Sequence, residues 1–173
     1  EPDNPGLHKN MGNVYLRLNK IDLAKKAYAK ALSINPNDAD TLGNLGNLYS
    51  NLNEIDTAIG YFQKAIGLNP YNANFYNSLG TARFKQGDLE AAVEDYKKAI
   101  EIAPDNFKAH ANLGIVYYHQ QLLKEAMAQF DESLRLNPEY IDAYYNLGVI
   151  YFRLGDREKS EYNLQKTVEL AAS

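Results

Sequence analysis

Apolar side chains along this chain fall into pairs of short stretches, and within each stretch they recur at helical spacing. In one representative pair, the first stretch carries apolar residues at Leu42, Leu45, Leu48, Tyr49 and Leu52. The second stretch carries them at Ile55, Ala58, Ile59, Phe62, Ile66 and Leu68. Apolar residues three and four apart line one face of an α-helix. Each pair therefore predicts two amphipathic helices of about a dozen residues, joined by a short turn.

The pattern repeats every 34 residues along a chain of 173 residues. Five prolines mark the period, at Pro2, Pro36, Pro70, Pro104 and Pro138. Alignment on these prolines gives repeats at 5–38, 39–72, 73–106, 107–140 and 141–173. A period of about 20–50 residues is typical of a stacked array in which each unit contacts its neighbours. We therefore expect one all-α repeat domain, and we number the places of each repeat from its first residue.

The two ends of the chain differ from the rest of the array. Glu1-Pro2-Asp3-Asn4 matches the closing segment Ala103-Pro104-Asp105-Asn106 of the third repeat. We therefore expect residues 1–4 to be the tail of a preceding repeat, and the chain to come from a longer protein. In the fifth repeat, polar residues replace apolar or small ones in the second stretch, at Arg157, Ser160, Glu161 and Thr167. A polar face suits a terminal cap, since nothing stacks beyond it.

Glycine occupies the eighth place of every repeat, at Gly12, Gly46, Gly80, Gly114 and Gly148. Glycine inside a helix costs about 1 kcal/mol relative to alanine, so this column predicts a close approach of the paired helix. Facing it is a small column, at Ala24, Ala58, Ala92, Ala126 and Ser160, and beside that a large one, at Tyr28, Phe62, Tyr96, Phe130 and Leu164. The turns hold Asn19, Asn53, Gly87 and Gly155, which accept a left-handed conformation. Gln121 departs from this set.

The motif small-x-x-Leu-Gly-x-x-Tyr, followed by Ala, Phe or Tyr, Ala and Pro, resembles the tetratricopeptide repeat. The resemblance covers essentially the whole chain; the third repeat departs from it with Arg83 in place of the aromatic residue, beside Phe84. It implies a right-handed superhelical α-solenoid of antiparallel helix pairs, whose first helices line a concave groove. It also implies that the second, fifth, sixth, ninth, twelfth and thirteenth places face that groove. We call these the groove places.

Asparagines dominate two of the groove places. The sixth place holds Asn10, Asn44, Ser78, Asn112 and Asn146, and the ninth adds Asn13 and Asn47. A carboxamide carries both a donor and an acceptor, so a row of them can pair with the backbone of an extended peptide of any sequence. Alternatively, these asparagines only bridge neighbouring helices, and the sequence gives the two interpretations equal weight.

Cations and aromatic residues occupy the last groove places. The thirteenth place holds Arg17, Asn51, Lys85, His119 and Arg153. Such a row of donors suits a ligand with carboxylates, although each residue also suits a solvated helix end. Exposed aromatic residues in a concave surface are typical binding anchors, and the candidates are Tyr118, Tyr145 and Phe152. We expect Phe84 to pack between repeats instead.

One branch of the family, the heat-shock co-chaperones, grips a C-terminal carboxylate with a clamp of Lys, Asn, Asn, Lys and Arg. This chain matches the first three residues with Lys9, Asn13 and Asn44. Asn74 and Ser78 stand at the two remaining places. Because both cations are missing there, we do not expect capture of a doubly charged chain end.

Composition and motifs argue against several other functions. The chain has 18 Lys and Arg against 22 Asp and Glu, a formal charge of −4, and no basic cluster, so we expect no nucleic-acid partner. Without cysteine it has no disulfide or thiolate metal site, and no apolar stretch is long enough to cross a membrane. We find no metal-binding or phosphate-binding motif and expect no cofactor, no metal and no enzymatic activity. His8 and His110, at the fourth place, are expected to be half-buried spacers.

The sequence thus predicts a protein-interaction scaffold that binds a peptide or helical segment of a partner, with an acidic segment as one candidate. The candidate partner-binding residues are Asn10, Asn13, Arg17, Asn44, Asn47, Lys85, Asn112, Tyr118, His119, Tyr145, Asn146, Phe152 and Arg153. One alternative is a self-assembling structural module, because Leu7, Met11, Val14 and Leu18 lie on a face that an upstream repeat would cover. Another is the targeting arm of a larger enzyme, such as a glycosyltransferase. The sequence does not identify a compartment.

Overall fold

The computed structural model describes residues 4–172, which form ten α-helices and no strand. The helices are α1 (Pro5–Arg17), α2 (Ile21–Ile34), α3 (Ala39–Asn51), α4 (Ile55–Leu68), α5 (Ala73–Gln86), α6 (Leu89–Ile102), α7 (Phe107–His119), α8 (Leu123–Leu136), α9 (Ile141–Leu154) and α10 (Arg157–Ala171). The predicted all-α chain of helix pairs is confirmed. Of the expected tail at residues 1–4, residues 1–3 lie outside the described residues. Asn4 caps α1, since its Oδ1 accepts a hydrogen bond from the Leu7 backbone N–H at 3.2 Å.

The chain divides into two compact units, Glu1–Gln86 with α1 to α5 and Gly87–Ser173 with α6 to α10. In the first unit, α1 packs on α2, α3 packs on α4, and α5 packs on α4. In the second unit, α7 packs on α8, α9 packs on α10, and α6 packs on α7. First helices also lie side by side within a unit, α1 and α5 beside α3, and α7 beside α9. Each unit therefore brings the groove places of its own first helices next to one another.

The glycine column provides the close helix contact that the sequence predicts. A Cβ atom at Gly46 would lie 2.5 Å from the Phe62 ring, and one at Gly114 would lie 2.9 Å from the Phe130 ring. Both distances are well below the roughly 3.5–4.0 Å of an ordinary carbon–carbon contact. The small residues of the facing column are also buried, at Ala24, Ala58, Ala92, Ala126 and Ser160. A methyl group at these glycines would force the aromatic rings of the second helices to move.

The junctions between successive repeats are apolar. In the first unit, Tyr28 of α2 belongs to one buried cluster with Leu45 and Leu48 of α3. In the second unit, Phe130 of α8 packs in the same way with Ile150 of α9. The first helix of each of these repeats thus covers the second helix of the repeat before it, and apolar burial stabilises the stack.

The turn within each repeat contains a left-handed residue. As predicted, φ is positive at Asn19 (54°), Asn53 (60°), Gly87 (91°) and Gly155 (79°). Gln121 also has a positive φ, of 65°, although it is neither an asparagine nor a glycine like the residues at the other four turns. A residue with a Cβ atom pays about 1–2 kcal/mol in this conformation. The turn before α8 is therefore less favourable than the corresponding glycine turns.

Of the four polar residues of α10 that suggested a cap, Arg157 and Glu161 are exposed, whereas Ser160 and Thr167 make contacts inside the repeat. Ser160 is buried and donates a hydrogen bond to the Gly148 carbonyl at 2.9 Å. Thr167 is half-buried and donates to the Asn163 carbonyl at 3.0 Å. Val168, in contrast, is 69% exposed. These two polar residues serve contacts inside the fifth repeat, and a capping role for α10 stays a prediction.

Candidate functional site

The groove places form one candidate surface in each unit. The unit-1 surface consists of Asn10, Asn13 and Arg17 of α1, Asn44 and Asn47 of α3, and Lys85 of α5. The unit-2 surface consists of Asn112, Tyr118 and His119 of α7, and Tyr145, Asn146, Phe152 and Arg153 of α9. The structure brings together only some members of each set, as their individual contacts show.

Asn13 is a structural link between three helices. Its Oδ1 accepts a hydrogen bond from the Tyr28 hydroxyl of α2 at 2.6 Å and another from Asn44 Nδ2 of α3 at 3.0 Å. Tyr28 is fully buried, and this burial raises the pKa of its hydroxyl to about 12. The Asn13 oxygen therefore satisfies a buried donor, which agrees with the bridging interpretation for this residue. Tyr28 is a partner that sequence reasoning did not assign to the site.

A row of carboxamides extends from this link along both helices. Asn10 lies three residues before Asn13 on α1, and Asn47 lies three residues after Asn44 on α3. Residues three apart are neighbours on a helix surface, so the Asn13–Asn44 hydrogen bond joins the four side chains into one patch. Asn10 and Asn47 are exposed, and the side chain of neither forms a hydrogen bond with another residue in the described range 4–172. The patch therefore keeps donors and acceptors available to a ligand.

The cations of the unit-1 surface differ in their availability. Lys85 Nζ donates to the carbonyl and the hydroxyl oxygens of Ser50 at 3.3 and 3.2 Å, so α5 is tied to α3. Arg17 is exposed at the end of α1. The first clamp residue, Lys9, is held by two carboxylates, at 3.3 Å from Asp38 and 3.5 Å from Asp40. Lys9 is therefore already neutralised, and the other two cations of the co-chaperone clamp are absent from the sequence. Both facts argue against capture of a charged chain end.

The electrostatics of Asp38 reflect that ion pair. Partial burial acts to raise the pKa of the Asp38 carboxyl. A hydrogen bond from the Thr41 hydroxyl at 2.8 Å and the charge of Lys9 act in the opposite direction and together outweigh it, so the pKa lies below its usual value. Asp38 also accepts from the backbone N–H groups that start α3. Lys9 therefore helps to hold the N-terminus of α3 and is not a spare cation.

In the unit-2 surface, a cation lies on an aromatic ring. The Arg153 guanidinium carbon is 6.0 Å from the centroid of the Tyr118 ring. Tyr118 also meets the ring of His119 edge to face at 6.0 Å and packs against the core of the unit. A guanidinium in this position retains hydrogen-bond donors for a carboxylate. The structure thus joins three predicted residues into one aromatic–cation cluster.

The remaining members of the unit-2 surface have separate environments. Tyr145 is 53% exposed on α9. Asn146 donates through Nδ2 to the Asp142 carbonyl of its own helix at 2.7 Å, and Asn112 is half-buried with contacts inside the chain. Phe152 is 74% exposed and lines a cavity together with α10. Phe152 therefore lies against the end of the fifth repeat and has no described contact with the Tyr118–Arg153 pair.

One aromatic cluster was not anticipated from the sequence. The rings of Tyr49 and Tyr61 stack in parallel, with centroids 5.4 Å apart, and Lys25 Nζ lies 4.6 Å from the centre of the Tyr49 ring. Tyr49 is the tyrosine of the repeat motif, and the motif predicts its position in the helix but not its ring partners. The cluster lies outside the groove places and supports the junction between the first two repeats.

The two histidines at the fourth place, His8 and His110, are packing residues, but one of them is more buried than expected. His110 is buried, with its Nδ1 2.8 Å from the Gln129 side-chain oxygen and its Nε2 3.2 Å from the Pro104 carbonyl. His8 is half-buried, as predicted. Within residues 4–172, no three His, Asp or Glu side chains are grouped as a metal site would require. None of the described helices combines the length and the apolar character of a membrane span.

Paired helices that repeat every 34 residues, with polar and aromatic first-helix surfaces, define a helical-repeat protein of the protein-interaction class. Models described as TPR repeat match residues 80–121 and 117–155, and models described as tetratricopeptide repeat match 6–38, 39–72, 61–94 and 141–173. The chain therefore belongs to the tetratricopeptide-repeat family. No curated protein sequence gives a significant match.

Solved structures of similar fold agree with this assignment. A crystal structure of MamA protein is 26% identical, with a TM-score of 0.80 over 96% of this chain and 91% of the other. YrrB, a TPR protein with an unusual peptide-binding site, is 26% identical, with a TM-score of 0.73 over 97% of this chain and 87% of the other. PilF of Pseudomonas aeruginosa is 22% identical, with a TM-score of 0.89 over 95% and 75% of the two chains, and shows the fold alone.

Proposed function

We propose that the chain is a scaffold that binds an extended peptide segment of a partner protein on the groove places of its first helices. The observation that carries the proposal is the carboxamide row Asn10–Asn13–Asn44–Asn47, in which the inner pair is fixed and the outer pair is exposed. Asn13 cannot move without leaving the buried Tyr28 hydroxyl without its acceptor, and Asn44 is held by its own hydrogen bond to Asn13. The outer pair is therefore presented to solvent on a rigid base, which lowers the entropy cost of binding.

The chemistry of this row suits a peptide backbone. Each carboxamide can donate to a carbonyl and accept from an N–H group, so the row binds an extended chain with little dependence on its side chains. The similar protein YrrB has a peptide-binding site, and this likeness supports a peptide ligand here. The proposal concerns binding alone, and we assign no catalytic residue.

The unit-2 surface adds side-chain preference to the proposal. Arg153, positioned by Tyr118, is suited to a carboxylate, and the exposed Tyr145 on the same helix is suited to apolar or aromatic side chains. Arg17 in the first unit offers a second exposed cation. We therefore propose a peptide that carries acidic residues, although the whole chain has a negative net charge.

Fluorescence anisotropy with a panel of labelled extended peptides tests this function. Each acidic peptide is matched with a version in which Asp and Glu are replaced by Asn and Gln. We expect Asn47→Ala to weaken binding of a peptide at the unit-1 surface, and Tyr145→Ala and Arg153→Gln to weaken binding of an acidic peptide at the unit-2 surface. Each loss should be about 5–30-fold, since each variant removes a contact of about 1–2 kcal/mol. Arg153→Gln should also reduce the preference for the acidic version.

Matched controls separate a binding role from a general effect. Tyr71→Ala removes an exposed tyrosine from the turn between α4 and α5, and Gln63→Ala removes an exposed carboxamide from α4. Arg135→Gln removes an exposed cation of α8 that pairs with Glu132. We expect these three variants to bind like the unchanged chain. Equal losses in groove and control variants, or no binding to any peptide of the panel, would refute the proposal.

A further inference from the structure

A cavity of about 370 Å³ lies where α2, α3 and α4 meet, and none of its lining residues occupies a groove place. Ala29, Leu32 and Leu45 give it an apolar base, and the stacked rings of Tyr49 and Tyr61 extend that surface. The volume is at the lower end of the roughly 300–1,000 Å³ of small-ligand sites, so the cavity suits a single side chain. Two complete repeats form its walls, so neither end of the chain creates it.

Two lysines of α2 complete the lining, and they differ in their pairing. Lys25 Nζ lies 4.6 Å from the centre of the Tyr49 ring and 3.6 Å from Glu54 Oε1. Lys26 is exposed and forms no ion pair within the described residues 4–172. Its ammonium group is therefore available to a carboxylate. We call the cavity, with its two lysines and two tyrosines, the tyrosine–lysine pocket.

The two tyrosine hydroxyls add further donors to the pocket. Tyr49 and Tyr61 are half-buried, and neither hydroxyl forms a hydrogen bond with another residue in the part of the chain that the structure describes. Neither oxygen is buried without a partner, so both reach solvent. Burial is the main reason that the pKa of Tyr61 lies above its usual value, so this hydroxyl stays protonated and can donate.

Two of the pocket residues depart from the repeat pattern. The twenty-first place is Lys25 in the first repeat, whereas the next three repeats carry apolar residues there, at Ile59, Val93 and Met127. The twenty-third place is Tyr61 in the second repeat, whereas the other repeats carry Ala27, Asp95, Gln129 and Asn163. Stacking of the repeats therefore requires neither residue. A departure of this kind from a local rule favours a function at the pocket.

Charge distinguishes this part of the chain from the corresponding helices of the second unit. Helices α2 and α4 carry four lysines and two aspartates, whereas α6 and α8 carry four cations and seven carboxylates. Lys64 of α4 adds to the positive charge beside the pocket, with its Nζ 5.7 Å from the centre of the Tyr61 ring. The chain as a whole has a formal charge of −4. The positive charge is therefore local, and it favours an acidic ligand at this pocket.

We propose that the tyrosine–lysine pocket binds an acidic segment of a partner protein through one apolar side chain that is flanked by carboxylates. The apolar side chain contacts Leu32 and Leu45, while the carboxylates pair with Lys26 and accept hydrogen bonds from the tyrosine hydroxyls. One buried anchor surrounded by polar contacts is typical of an interaction hot spot. The pocket shares no residue with the groove places, so it provides the scaffold with a second binding site.

NMR titration of the isotope-labelled chain with the peptide acetyl-Asp-Glu-Leu-Asp-Glu-amide tests the proposal. We expect the amide signals of Ala29, Leu32 and Tyr61 to shift, because the leucine enters the pocket. A peptide with Ser in place of Leu, and one with Asn and Gln in place of the acidic residues, should each bind about tenfold more weakly or less. No shift at the pocket residues, or equal binding of the three peptides, would overturn the proposal.

Charge reversal at one lysine is matched by the same change at another. Lys26→Glu should weaken binding of the acidic peptide by about tenfold, whereas Lys97→Glu, at an exposed lysine of α6, should leave it unchanged. Tyr61→Ala, which introduces the residue found at the equivalent Ala27, should weaken binding to a similar extent, with Tyr71→Ala as its control. Circular dichroism confirms that each variant is folded. Lys26 is exposed, so the lysine pair tests the pocket even if Tyr61→Ala lowers stability.

Groove variants separate this proposal from peptide binding in the groove. Asn47→Ala should leave the signal shifts at the pocket unchanged, because Asn47 does not line it. Equal affinities of Lys26→Glu and Lys97→Glu, or loss of the pocket shifts in Asn47→Ala, would overturn the pocket and leave the groove proposal intact. Failure of the groove proposal would appear instead in the groove variants alone, with the pocket shifts retained.

Discussion

Replacing Asn13 with alanine separates the structural role of this residue from a role in binding. The side-chain oxygen of Asn13 accepts from the Tyr28 hydroxyl at 2.6 Å and from Asn44 at 3.0 Å. Removal of this oxygen leaves the buried Tyr28 donor unsatisfied, at a cost of about 1–3 kcal/mol, and loss of the half-exposed Asn44 bond adds about 0.5–1 kcal/mol. We therefore expect Asn13→Ala to lower the free energy of unfolding by about 2–3 kcal/mol.

A double-mutant cycle measures how much of that loss depends on the tyrosine. Tyr28→Phe removes the hydroxyl, so Asn13→Ala in that background should cost only the Asn44 bond, about 0.5–1 kcal/mol. Urea unfolding followed by circular dichroism gives the four free energies. If Asn13→Ala cost the same with and without the Tyr28 hydroxyl, the hydrogen bond would not carry the stability and the reasoning would be wrong.

Three further changes follow from the turns and from the buried hydroxyls. Gln121→Gly should raise the free energy of unfolding by about 0.5–1 kcal/mol in urea, because glycine removes the strain of a φ of 65°; a loss of stability would contradict this. Leu122→Asp should add about 1 kcal/mol by capping α8 as Asp156 caps α10, whereas Leu122→Glu should not, since Glu54 makes no capping bond. Burial raises the pKa of Tyr28 to about 12, so the unfolded chain releases this proton first. The stability that the neutral hydroxyl contributes is present below about pH 10 and is lost as the pH rises towards about 12. Thermal unfolding across this range should show a smaller alkaline loss in Tyr28→Phe, and an equal loss would argue against the assignment.

The sequence was sufficient to predict the architecture because the period constrains many positions at once. Five prolines and five glycines in register cannot be explained by local chance, and each glycine implies a close partner such as the Phe62 ring at Gly46. Gln121 shows the limit of reading turns by residue type. The geometry of a short turn between two packed helices imposed a left-handed residue there, whichever side chain the position carried.

The candidate site was less predictable, because a place number defines a helix face but not the partner of each side chain. Asn13 and Asn47 share the ninth place, yet Asn13 satisfies a buried tyrosine and Asn47 is exposed. The difference lies in the second helix, where Tyr28 carries a hydroxyl and the equivalent Phe62 does not. A comparison of the ninth place with the column of large second-helix residues, which has Tyr28 in the first repeat, would have predicted the hydrogen bond between Asn13 and Tyr28. The hydrogen bonds from Lys85 to Ser50 correspond to no such pattern in the sequence.

Phe152 shows how the presence of a following repeat changes the role of a residue. At the twelfth place of the first repeat, Leu16 packs against the buried cluster that contains Leu48 of the next helix, so this place belongs to the junction as well as to the groove. Phe152 has no such helix within the described chain and is therefore exposed. Peptide binding at the groove predicts that Phe152→Ala lowers peptide affinity, whereas a role confined to the junction predicts no change. If Phe152→Ala left peptide affinity unchanged, only Tyr145 and the Tyr118–Arg153 pair would remain as the aromatic part of the groove.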